Sequence, residues 1–142
     1  MNTHKEGSKR RQPAIRTVPM HADLNANGHI FGGWILSQMD LAGGGQAIQF
    51  CDGPVATVAI EGMKFHQPVL PGDWLSVYTD VVQVGKTSIT IHIDVTVLRR
   101  GNKEEIKVTE GDFVFVALDE NHRPKEIECS DEKREKVLSK IS

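Results

Sequence analysis

Sixteen residues, Asn25 to Asp40, constrain this chain more than any others: Asn25-Ala26-Asn27-Gly28-His29-Ile30-Phe31-Gly32-Gly33-Trp34-Ile35-Leu36-Ser37-Gln38-Met39-Asp40. A polar loop gives way to a glycine pair, and the pair to an apolar helical run carrying one acid. A helix that starts at Gly32-Gly33 offers unpaired backbone N–H groups with no side chains over them. Those groups and the helix dipole favour a negative oxygen at that end. Two turns later stands Asp40, whose helical neighbours Leu36, Met39, Gly43 and Gly44 supply no cation. Aspartate is a poor residue for a helix interior, and an unpaired buried carboxylate is costly. An acid kept there despite both costs reads as a reactive group. Together with an anion site on the same helix, it is the equipment of a hydrolase.

The helical pattern runs from about Gly33 to Phe50. Trp34, Ile35, Leu36, Met39, Leu41, Ala42, Ala47 and Ile48 point in nearly every direction on a 3.6-residue wheel. A helix that is apolar all round is buried on most sides. Gly43-Gly44-Gly45 lies inside it, where each glycine costs roughly 0.5–1 kcal/mol against alanine. Close backbone packing and an early helix end both account for the run.

The remainder of the chain changes period. Residues 14–20 read as a first short strand, and Val55 to His66 as a second. Trp74 to Val84 is a third, closed by the Gly85-Lys86 turn. In Thr87 to Arg100, Ile89, Ile91, Ile93, Val95 and Val97 alternate with polar residues, the period of a strand with one buried face. Arg100-Gly101-Asn102-Lys103 is a hairpin turn, and Ile106 to Leu118 the last strand. Short connections between long strands imply an antiparallel sheet. One buried helix against it gives an α+β layer arrangement.

The length of 142 residues suits one domain with a real core. A net charge of −2 carries no basic bias toward nucleic acid. Cys51 and Cys129 lie far apart without metal spacing, which argues against a disulfide framework and for a reducing cytoplasm. Residues 1–12 hold Lys5, Lys9, Arg10 and Arg11 but no apolar core, so they read as a solvated, disordered basic tail rather than a signal peptide. The globular domain is expected over 13–124. A C-terminal segment follows over 125–142, with a short charged helix or frayed tail at 131–141. The longest apolar run is too short to span a membrane.

Other candidate groups are weaker. Asn25 and Asn27 could polarise a carbonyl or hold a water. The Asn27-Gly28 pair favours a turn role for Asn27, whereas both roles remain open for Asn25. His29, His66 and His92 have neither metal nor serine-triad spacing, so surface or strand histidine is the simpler reading. No metal and no separate cofactor is expected. Gly85-Lys86-Thr87-Ser88 puts a cation and two hydroxyls on a tight turn that could grip a phosphate, although an ordinary hairpin turn explains it equally.

Gly32 and Asp40 are eight residues apart, about 12 Å along one helix. A base and an oxyanion donor must both come within about 3 Å of one reacting group. A single helix cannot supply both, whereas two antiparallel helices related by a two-fold axis can. An enzyme using both features should therefore be at least a homodimer with two shared sites.

The Asn25–Asp40 stretch resembles that of hotdog-fold acyl-CoA thioesterases, specifically the bacterial YciA-type short-chain acyl-CoA hydrolases. The likeness extends through Val58–Gly72 and Val84-Gly85-Lys86-Thr87-Ser88-Ile89, covering roughly residues 14–120. It implies a long antiparallel sheet wrapped around one central helix, with dimers burying their helices side by side and often assembling as trimers of dimers. It implies that Asp40 is the catalytic carboxylate and that the backbone at Gly32-Gly33 holds the thioester oxygen. Coenzyme A is then part of substrate and product, with its phosphates near Lys86, Thr87, Ser88 or Arg99. His29 stands where the family often has aspartate, and Gly43-Gly44-Gly45 replaces an alanine-rich stretch along the acyl tunnel.

Two other functions compete. Phe65-His66-Gln67-Pro68-Val69-Leu70-Pro71-Gly72 faintly resembles the histidine loop of hotdog hydratases and dehydratases, which pair it with a helix glutamate. Here the acid lies in the thioesterase register instead. A non-catalytic acyl-CoA sensor would carry a helix-turn-helix extension, for which this chain has no room.

Overall fold

The computed structural model describes residues 11–128. Strand β1 (Ile15–Thr17) leads through a 3-10 turn at His21–Asp23 to helix α1 (Gly32–Cys51). Four long strands follow: β2 (Val55–Phe65), β3 (Trp74–Val84), β4 (Ser88–Leu98) and β5 (Ile106–Ala117). They form one sheet in the order β1-β3-β4-β5-β2, and every pairing is antiparallel. The expected α+β arrangement is what the chain forms. The first strand is shorter than 14–20, because Pro19 cannot donate to a ladder and the 3-10 turn begins at His21. The expected segment at 131–141, with Cys129, lies outside the described residues.

Period-two patterning sets which face of the sheet meets α1. On β4, Ile89, Ile91, Ile93, Val95 and Val97 are all fully buried, and Phe113 and Phe115 join them from β5. The helix answers with Ile35, Met39, Ala42, Gly43 and Ala47, a stripe at helical spacing. Burying a side chain such as Met39 contributes about 1.5–3 kcal/mol. The glycine run does not end the helix, which continues to Cys51. Gly43 is there for close approach: a Cβ on it would stand 2.7 Å from Ile93 Cδ1 and 3.0 Å from Phe115 Cζ. The helix stops where Asp52 takes the left-handed conformation (φ 56°) and its N–H bonds the carbonyl of Ile48.

Only one side of α1 is covered by its own sheet. On the other side Leu41 is 66% and Ile48 47% exposed. Strand β2 has β5 on one side and is one edge of the sheet, with Val58 57% exposed. The all-round apolar pattern therefore serves two surfaces, of which the chain covers one itself.

Packing extends past both expected domain limits. Arg11, assigned above to the basic tail, reaches Asp80 at 2.6 Å and Asp94 at 3.3 Å. At the other end the N–H of Ile127 bonds the carbonyl of Lys86 at 2.8 Å, and the side chain is buried. A single apolar residue in a polar stretch carries no periodic signal, so the sequence did not reveal it. No helix among the described residues is long and apolar enough to cross a membrane.

Candidate active site

The loop before α1 is held by its own polar groups. The Asn25 side-chain oxygen accepts from the N–H of Asn27 at 2.9 Å and of His29 at 3.1 Å. Gly28 has φ 77°, as the turn at Asn27-Gly28 requires. Asn27 itself lies in the turn. For Asn25 the structure supplies a loop-holding role, leaving only the amide nitrogen of that side chain to meet a ligand. The N–H of Ile30 bonds the carbonyl of Val69, which ties the helix start to the β2–β3 loop.

The start of α1 is open. Phe31 is the N-cap and its side chain makes no capping hydrogen bond. Gly32 and Gly33 are both exposed, and a Cβ on either would meet nothing within 4 Å. The N–H of Trp34 turns back to the carbonyl of Phe31 at 3.1 Å, which leaves the N–H groups of the exposed Gly32 and Gly33 for a ligand oxygen.

Asp40 corrects part of the sequence argument. It is exposed rather than buried, and its Oδ1 accepts from the Thr57 hydroxyl of β2 at 2.5 Å. The reason is the uncovered face of α1: Ser37, Asp40, Leu41 and Ile48 all lie on it. No charged partner accompanies the acid among the ion pairs of the described residues. Sequence reasoning missed Thr57, since nothing local says which residue of β2 crosses the helix there. Beside this face runs a groove lined by Ile15, Leu41, Ala42, Gly45 and Gln46.

The two cations assigned to phosphate fare differently. Lys86 is exposed on the β3–β4 turn, closed by the N–H of Gly85 to the carbonyl of Ser88 at 2.7 Å. Thr87 and Ser88 are half-buried beside it. Arg99 is already engaged. Its Nε donates to Asp73 Oδ1 at 3.0 Å and one terminal nitrogen to Asp73 Oδ2 at 2.8 Å. That forked pair holds the guanidinium pKa above its usual value, burial acting more weakly the other way. Asp73 is only 2% exposed, so the guanidinium neutralises a buried acid instead of waiting for a phosphate. The turns holding Lys86 and Arg99 also sit at opposite ends of β4, whose 11 residues span about 35 Å. One chain cannot bring both to the same phosphate group.

His66 Nε2 donates to Glu110 Oε2 at 2.8 Å. Glu110 belongs to a cluster with His92, Asp94, Lys107 and Asp112. His92 and Asp94 alternate with the buried Ile91, Ile93 and Val95, so this cluster lies on the sheet face away from α1. His66 is therefore drawn away from the helix acid, against the hydratase reading. Burial would lower the His92 pKa, but the carboxylates of Asp112 and Asp94 outweigh it and the net shift is upward. Hydrogen bonds from His66 and Lys107 hold Glu110 below its usual value. The sequence contained the signal for this cluster. Polar positions two apart on β4 face polar positions two apart on β5, but using it requires the register.

The thioesterase superfamily model matches residues 27–102, the stretch from the Asn-Gly loop into the β4–β5 turn. The chain belongs to the thioesterase superfamily. Acyl-CoA thioester hydrolase YciA of Escherichia coli (strain K12) is 44% identical over 114 residues, covering 78% of this chain and 86% of that one. This superfamily member also superimposes on a hexameric broad-specificity acyl-coenzyme A thioesterase, crystallised as an aspartate-to-alanine variant. There the TM-score is 0.84 and the identity 39%, covering 93% of this chain and 98% of the other. A hexameric hotdog-fold thioesterase of Campylobacter jejuni matches with a TM-score of 0.80 and 36% identity, covering 89% and 96%. The hotdog fold expected from the resemblance is thus the fold of this thioesterase-superfamily chain.

Proposed function

We propose that the chain hydrolyses acyl-CoA thioesters to the free acid and coenzyme A. The observation that carries the proposal is the uncovered face of α1, where an open Gly32-Gly33 helix start and the carboxylate of Asp40 lie eight residues apart. The relatives named for acyl-CoA thioester hydrolysis support the substrate class.

In the reaction the N–H groups of Gly32 and Gly33 hold the thioester oxygen. Asp40 takes a proton from water as the water oxygen bonds the carbonyl carbon. The C–S bond then breaks, and the leaving thiolate of coenzyme A recovers the proton. Thr57, hydrogen-bonded to Oδ1, orients the carboxylate so that its other oxygen meets the water. In the second route Asp40 itself attacks the carbonyl, the C–S bond breaks to expel the thiolate of coenzyme A, and water then hydrolyses the resulting anhydride, regenerating Asp40 and supplying the thiolate's proton.

The site is shared between two subunits. Gly32 and Asp40 stand about 12 Å apart on one axis, too far for one thioester. Antiparallel packing of two copies of α1 through Leu41 and Ile48 would bring the start of each helix to the middle of the other. The same packing would carry the partner's Lys86 turn toward this helix start, because α1 begins at the sheet end remote from its own Lys86. Coenzyme A phosphates would then be held by Lys86, Thr87 and Ser88 of one subunit while the other holds the carbonyl. Hexameric relatives support a trimer of such dimers, and a cytoplasmic location fits the cysteine usage.

The test combines assay and complementation. Acyl-CoA substrates should release free thiol, and an enoyl-CoA should gain no water. Asp40→Asn should keep the fold and lose at least ~10²-fold in kcat, the scale of general-base removal. Gly32→Pro removes one N–H at a helix position that tolerates proline, and the Phe31 ψ of 133° suits a residue before proline. A mixed dimer of the two variants should recover up to half of the activity, since one site inherits both lesions and the other neither. No recovery despite verified subunit exchange and folding would mean that each chain builds its site alone.

A further inference from the structure

On the sheet face away from α1, we infer a binding site for a divalent first-row metal ion, formed by His92 Nε2 and the carboxylates of Asp94 and Glu110. These three ligand atoms lie within 4.8 Å of one another. His92 Nε2 is 3.1 Å from Asp94 Oδ1 and 3.6 Å from Glu110 Oε1. Around an ion with bonds of about 2.1 Å, neighbouring ligand atoms stand roughly 3.0–3.5 Å apart. The two histidine–carboxylate separations are already close to the edges of such a polyhedron.

A second observation concerns the other ring nitrogen. His92 Nδ1 is 2.7 Å from Asp112 Oδ1. A carboxylate on one imidazole nitrogen fixes the tautomer that offers the other nitrogen's lone pair, the usual outer partner of a metal-bound histidine. The sheet register builds this arrangement: His92 pairs with Asp112, and Asp94 with Glu110. All four groups are thus held on two paired strands rather than on loops.

Charge supplies the third. The connected groups are Asp80 on β3, His92 and Asp94 on β4, Lys107, Glu110 and Asp112 on β5, His66 just after β2, and Arg11. Four carboxylates face two fixed cations, Arg11 and Lys107, a surplus of acid that a divalent ion would offset. Lys107 Nζ now bridges Asp94 and Glu110 at 3.1 Å each. Its side chain is 46% exposed and can swing into solvent when an ion takes its place. One imidazole and two carboxylates suit zinc, cobalt, iron or manganese better than magnesium or calcium. The site is remote from Asp40 and stands whether or not the proposed hydrolysis holds.

The experiment is titration of the purified full chain with cobalt(II), followed by visible absorption and calorimetry, and repeated with zinc(II). One ion should bind per chain. His92→Gln should weaken binding at least ~10-fold, the lower end for loss of a metal ligand or its support. Lys107→Met, which removes the competing ammonium, should strengthen it, and this variant keeps the test decisive if His92→Gln folds poorly. Absence of saturable binding at millimolar cobalt would overturn the site. So would binding indifferent to both substitutions, or a thiolate-to-cobalt band assigning the ion to cysteine.

Discussion

Alanine placed at Gly43 and at Gly44 should change stability in opposite directions. Both positions lie in the interior of α1, so each substitution returns about 0.5–1 kcal/mol by restricting the unfolded chain and favouring helix. What differs is the room for one methyl group. At Gly43 a Cβ would lie 2.7 Å from Ile93 Cδ1 and 3.0 and 3.1 Å from two Phe115 ring carbons. Ile93 is 0% and Phe115 1% exposed, so neither can retreat into solvent, and the ring cannot bend. Forcing a methyl into a filled core costs typically about 1–3 kcal/mol. The steric cost outweighs the helix gain, for a net loss of about 1–2 kcal/mol at Gly43. At Gly44 the nearest atom to a Cβ is Phe115 Cε1 at 3.7 Å, an ordinary contact. Only the helix gain remains, about 0.5–1 kcal/mol of added stability. Urea unfolding of both variants at one fixed protein concentration separates the two effects, since assembly makes apparent stability depend on concentration. In thermal unfolding, 1 kcal/mol should move the midpoint by roughly 3–5 °C in a chain of this size. A Gly43→Ala protein as stable as the parent, or a loss of equal size at Gly44, would refute the close-approach argument.

Exchange of the two cations assigned to phosphate should separate binding from structure. Lys86→Ala should raise KM for acyl-CoA and flatten its rise with salt; unchanged values would place the phosphates elsewhere. Arg99→Ala should leave that salt dependence alone but cost about 2–4 kcal/mol of stability, because it strands the buried Asp73, and a fully stable variant would contradict the pairing. His92 provides a pH signature in metal-free protein. Its folded pKa is raised above the ordinary value of 6.5, so its contribution is complete below that value and is lost as pH rises through the folded pKa. Thermal midpoints should fall from about pH 6 to about pH 8, and His92→Gln should flatten that fall. An equal fall in the variant would remove His92 from the account.

Much of the fold was legible because its signals are local. The period of two from Ile89 to Val97 and the hairpin turns at Gly85 and Gly101 specify strands, neighbours and direction without reference to the rest of the chain. The glycine pair before an apolar run marked the start of α1 for the same reason. Asp40 was legible as an unusual residue, but its surroundings were not. An apolar wheel looks the same whether one sheet surrounds the helix or two surfaces share it.

By itself, then, the sequence determined the α+β class, the long antiparallel strands, the helix start at Gly32-Gly33 and the acid two turns on. These follow from periodicity and backbone freedom, which act over a few residues. Only the tertiary structure decided that Asp40 meets Thr57 on an uncovered face, that Arg99 belongs to Asp73, and that His92, Asp94, Glu110 and Asp112 converge behind the sheet. Each of those facts joins residues at least 16 positions apart, the His92–Asp94 and Glu110–Asp112 steps excepted. Strand register and the path of the helix across the sheet bring them together, and both are set by the packing of the whole core rather than by any local pattern.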